Sequence, residues 1–168
     1  MLDILVLGVL PGLAIAAAIW DVTSFSIPNF LQVLLIVGFV VLAIAAHLSL
    51  SVVGFHLLAA LIGFGVGLAL FALGYIGGGD AKLFVTLLLW LGLHDLVAFT
   101  LVTAIFGGGV TLIILAMRRF ALPGFMLNQA WILRLHDPKG GIPYGVALAC
   151  GLFAVLPQSE IFRLATSV

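Results

Sequence analysis

Apolar residues fill this chain in six runs separated by polar breaks, and that alternation restricts its fold more than any motif does. The runs cover about Ile4 to Trp20, Phe30 to Ala46, Val52 to Tyr75, Leu83 to Leu93, Leu96 to Met117 and Ile142 to Leu156. Of 168 residues, 65% are hydrophobic and 7% charged, where soluble domains carry roughly 25% charged. A soluble fold of this size has too little interior for so much apolar surface, so the bilayer must serve as solvent. In lipid every backbone N–H and C=O has to be satisfied within the protein, and a helix does that segment by segment. The expectation is an all-α polytopic membrane protein with about six transmembrane helices. It would form a single membrane-embedded domain over residues 1–168, with a loop at about 118–141.

A crossing takes roughly 17 to 25 residues, and the fourth and sixth runs fall short of that. A helix that begins below the membrane surface, at Asp80, accounts for the fourth. Irregular backbone such as Gly77-Gly78-Gly79 is tolerated at that depth only against protein or a wet cavity. His94-Asp95 favours a hairpin between runs four and five; the alternative joins them as one crossing plus a re-entrant piece.

Charge and cysteine usage exclude several function classes. Formal net charge is zero and there is no basic tract, so nucleic acid is not an expected partner. Cys150 is the only cysteine, which rules out an internal disulfide or a Cys-rich zinc module. No histidine pair has metal-site spacing, and no Gly-Lys-Ser/Thr closes the glycine run as a phosphate loop would; neither metal nor cofactor is expected. Met1-Leu2-Asp3 lacks the basic region of a signal peptide, so the first run is expected to stay as a helix.

With six crossings, Lys82, Arg118, Arg119, Arg134 and Lys139 all fall in loops on one side, and Arg163 is the exception. The excess of Lys and Arg makes that side cytoplasmic. Asp21 and Asp80 lie on it; Asp3 and Asp95 lie opposite. A carboxylate at membrane depth is costly and marks a candidate functional site. Asp80 also suits a helix start, since Asp is a favoured cap. Asp21 follows the first run, where the negative end of the helix dipole disfavours it by roughly 0.3–1 kcal/mol, and Pro28 suits the first turn of the next helix. Two close carboxyls sharing a proton supply both the base and the acid of peptide hydrolysis. Helix-end polarity would make Asp80 the base and Asp21 the acid. Asp137 sits in an Asp-Pro turn, Lys82 is expected to snorkel toward headgroups, and Gly107-Gly108-Gly109 reads as a packing notch. The chain is therefore expected to be an intramembrane aspartic protease.

Gly77-Gly78-Gly79-Asp80-Ala81-Lys82, with Asp21 followed by Ile27-Pro28-Asn29 and with Pro143-Tyr144-Gly145, resembles the type IV prepilin peptidase family, which carries a Gly-x-Gly-Asp motif. That resemblance implies Asp21 and Asp80 as the catalytic pair. Gly77, Gly79, Lys82, Pro28, Asn29, Pro143 and Gly145 would support the loops and the substrate. It further implies a prepilin partner with a basic leader and an apolar helix, cleaved at the cytoplasmic face of the inner membrane. Only about twenty residues precede Asp21 and no cysteine pair is present, so the chain looks like the short form associated with Flp-type pili. Methylation of the product is not expected. Archaeal preflagellin-type peptidases share the chemistry. In presenilin-like proteases the partner aspartate follows Tyr, whereas Asp21 follows Trp20. A small proton-coupled transporter would call for inverted repeats, and only one glycine-broken site is found.

Overall fold

A computed structural model of the chain describes residues 1–166 and is helical throughout its main elements. The order is α1 (Ile4–Ser24, π-helical over Ile4–Val9), α2 (Asn29–Ala45), α3 (Leu50–Ala72), α4 (Gly78–Met117), α5 (Ala130–His136), α6 (Tyr144–Val155) and α7 (Glu160–Thr166). Among the described residues α1, α3 and α4 are each long and apolar enough to cross a membrane. A fourth span arises if α6, extended through the Leu156–Gln158 turn, and α7, bent by 58° from it at Ser159, count as one. The protein is an all-α polytopic membrane protein.

α4 is two helices in one continuous run. At Gly92 the backbone turns to φ 79°, ψ −178°, a region essentially open only to glycine. A straight helix would set Phe84 and Phe99 about 22 Å apart, at roughly 1.5 Å per residue. Their rings instead stack at 5.7 Å, so the arms 78–91 and 93–117 fold back on each other. The expected hairpin is present, but its corner is Gly92 and not His94-Asp95. His56 of α3 lies against that corner and donates Nδ1–H to the Leu89 carbonyl at 2.9 Å, satisfying one of the carbonyls that a helix end leaves free.

The first arm of α4 runs parallel to α2, held by a ladder of polar contacts. Lys82 Nζ donates to Asn29 Oδ1 at 2.9 Å, Thr86 Oγ1 to Gln32 Oε1 at 2.8 Å, and Trp90 Nε1 to the Leu35 carbonyl at 2.9 Å. Gly38 leaves room for the Trp90 ring; a Cβ there would lie 3.0 Å from it. α3 packs antiparallel on the same arm, with Gly63 under Leu88 and Gly67 under Ala81, so small residues let the two backbones approach closely. α6 fits between α1 and the second arm of α4. The core is Val6, Leu10, Leu31, Leu35, Leu83, Leu87, Trp90 and Leu152, while the outer faces of α2, α3 and the second α4 arm are apolar and exposed. That inside-out distribution is what a lipid-facing surface requires.

Candidate active site

Three helix ends meet at one end of the bundle. α1 finishes in the turn after Asp21, α4 begins at Gly78, and α6 begins at Tyr144. Asp21 and Asp80 are both buried there, 4% and 6% exposed. They line one cavity of about 650 Å³ with Phe25, Tyr75, Arg134, Asp137 and Tyr144. The two carboxyls lie near enough to act on each other directly.

Each is oriented by a glycine. Gly145, second residue of α6, donates its N–H to Asp21 Oδ2 at 2.8 Å. Gly77, which caps α4, donates its N–H to Asp80 Oδ2 at 3.2 Å. Both donors belong to the N–H groups that a helix start leaves without a backbone partner. Asp80 is thus the third helical residue reaching back to the cap, not the cap residue itself. The cap contact uses one oxygen only, and Oδ1 is buried without a partner. Asp21 does lie in the last turn of α1, the negative end expected for it, but a second helix end opposes that polarity. α1 continues to Ser24, and what faces the Asp21 carboxyl is the N-terminus of α6. Helix polarity therefore does not distinguish acid from base.

The supporting residues of the sequence gather around this pair. A Cβ on Gly145 would lie 3.0 Å from both Cβ and Oδ2 of Asp21, and one on Gly79 would lie 3.1 Å from the Ile27 backbone nitrogen. Gly79 therefore lets the glycine loop seat against the Ile27-Pro28-Asn29 loop. Pro28 precedes α2 in extended geometry and Pro143 precedes α6, buried. The exposed Lys82 donates from its ammonium to Asn29 and so joins the two aspartate loops. Phe25 ends α1 with φ 52°, an uncommon state for a bulky residue, and its ring lies beside Gly141 at the cavity wall.

Sequence reasoning passed over Tyr75, Tyr144 as a lining residue, and Arg134. The first two were detectable as aromatics adjoining the glycine run and Pro143. The loop over residues 118–141 closes one side of the cavity. Arg118 holds it, with Nε donating to the Leu135 carbonyl at 2.9 Å and Nη2 to the carbonyls of Gly140 and Gly141 at 3.1 and 3.0 Å. Asp137, set aside as a turn residue, does form such a turn through Lys139 N–H at 2.9 Å and also faces the cavity. Asp95 lies at the start of the second α4 arm, beyond the Gly92 corner, bonded to His94 at 3.0 Å, and lines neither side of the cavity.

The model of the type IV leader peptidase family matches residues 8–112, well over half of the chain, including both aspartate loops. No curated protein and no solved structure matches it.

Proposed function

Because this chain belongs to the type IV leader peptidase family, we propose that it is an aspartic endopeptidase that removes the basic leader from Flp-like prepilins. Cleavage takes place at the cytoplasmic face of the inner membrane, with Asp21 and Asp80 as the reacting pair and without N-methylation. The single observation that carries this reading is the pair itself. Two buried carboxyls from separate helices line one cavity, each with one oxygen tied to a glycine N–H.

The chemistry follows from that arrangement. One carboxylate takes a proton from a water whose oxygen attacks the scissile carbonyl carbon, and the partner carboxylic acid hydrogen-bonds the carbonyl oxygen. Collapse of the tetrahedral intermediate breaks the C–N bond, and the amine leaves with a proton from the pair. Fixing the Oδ2 atoms costs no reorganisation during reaction, and a free Oδ1 on Asp80 is available to the water or the carbonyl. Cytoplasmic placement rests on the Lys and Arg of the loops at this end. Methyl transfer would need a site for a nucleotide-like donor, and the 118–141 loop is instead fastened by Arg118 as a cavity wall.

The test is leader removal from co-expressed prepilin, read on a gel. Asp21→Asn and Asp80→Asn keep size and hydrogen-bonding capacity but cannot share the proton. Each is expected to abolish processing, and the double variant to be no worse than either single one, as for groups acting as a unit. Substantial processing by folded, inserted Asp80→Asn would sink the aspartic mechanism.

A further inference from the structure

A second hollow, of about 390 Å³, lies next to the aspartate cavity between the membrane helices. One wall is α3, through Val66 and Leu70; the other is the second arm of α4, through Thr100, Ala104 and Gly108. Tyr75, Ile76, Asp80 and Tyr144 line both hollows, so the two adjoin at Asp80. Thr100, Ala104 and Gly108 recur at four-residue spacing and so lie along one helix face. Gly108 has nothing within 4 Å of the place a Cβ would take. Its neighbour Gly107 faces the Tyr144 ring, so within the glycine triplet one residue seats α6 and the next leaves the groove open.

We propose that this groove docks the apolar helix of the substrate and delivers the adjoining peptide bond to Asp80; this rests on the leader-peptidase function above. Physical chemistry restricts the occupant. A chain entering between two membrane helices must satisfy its own backbone groups, so it enters as a helix. A face of small residues lets such a helix approach closely, which is how helices associate where no hydrophobic force drives them together. At the groove's end the setting changes. Asp80 is 6% exposed, and its Oδ1 has no partner. Beyond it lies the cavity with Asp21, Arg134 and Asp137. That is where a helix can unwind and exchange its internal hydrogen bonds for polar neighbours. A lipid chain could fill the groove, but it would bring nothing to the carboxyl oxygen at its end.

The experiment uses the full chain in vesicles with two substrates, a leader-bearing protein with its apolar helix and a short water-soluble peptide spanning the same bond. Gly108→Trp fills the groove; Gly109→Trp, which also enters open space but does not line the groove, is the control. Gly108→Trp is expected to lower kcat/KM for the helix-bearing substrate about tenfold more than for the peptide, with the ratio unchanged in Gly109→Trp. Equal effects on both substrates, or none, overturn the proposal. Independently, a photoreactive residue at Ala104 in the Asp80→Asn background is expected to crosslink the substrate's apolar helix. Crosslinks only to lipid or to a second copy of this chain overturn it. Wild-type protein that cuts neither substrate would instead overturn the leader-peptidase reading, and the groove proposal with it.

Discussion

At Asp21 the decisive neighbour is a hydrogen atom: Gly145 has no side chain, and any Cβ would press on the carboxyl that its own N–H holds. Gly145→Ala is therefore expected to shift Asp21 and lower kcat on the order of 100-fold, since misplacement by about 1 Å can cost that much. Circular dichroism should show unchanged helicity; near-normal kcat would mean the Gly145 contact does not set the position of Asp21. Gly79→Val acts through a different contact. It meets the Ile27 backbone, so it should displace the first aspartate loop and stop prepilin processing while the protein still inserts. Normal processing would leave the glycine loop as an ordinary helix start. Asp137→Asn, on the cavity rim and exposed, is expected to retain most activity; loss equal to that of Asp21→Asn would show the reacting pair to be incomplete.

The hairpin in α4 is the element on which the site depends, because it returns a second helix beside the one that carries Asp80. Its corner at Gly92 adopts a backbone state worth of order 1–3 kcal/mol against other residues, and a Cβ there would lie 3.0 Å from the His56 ring. Gly92→Ala should thus lower thermal stability in micelles by about that amount, whereas Gly109→Ala, in open space, should not. Equal stability of the two variants would argue against the corner geometry. The ladder to α2 is expected to contribute in smaller steps. Trp90→Phe removes the hydrogen bond to the Leu35 carbonyl and should cost about 1 kcal/mol, plus whatever void the smaller ring leaves.

For the molecule as a whole, the testable property is its orientation. Single cysteines at Ser24 and Ser49 in a Cys150→Ser background are expected to react with an impermeant reagent from opposite sides of the membrane; same-side labelling would remove the assignment of the aspartates to the cytoplasm. What the chain dictates at this scale by itself is considerable. Apolar run lengths and the absence of charge within them fix helices in lipid, because the bilayer penalises an unpaired backbone group or a carboxylate wherever it occurs in sequence. The same logic, applied to loop parity, put Asp21 and Asp80 at one end, and the structure gathers them into one cavity. Local pattern stops there. Hydropathy cannot tell which residue turns a helical hairpin, and the polar His94-Asp95 outweighed Gly92 until the packing of His56 and the Phe84–Phe99 stack located the corner. Nor could it join Lys82 to Asn29, or bring the N-terminus of α6 to Asp21. Those contacts depend on how each helix is rotated about its axis against distant neighbours, and only close packing of the assembled chain selects that rotation.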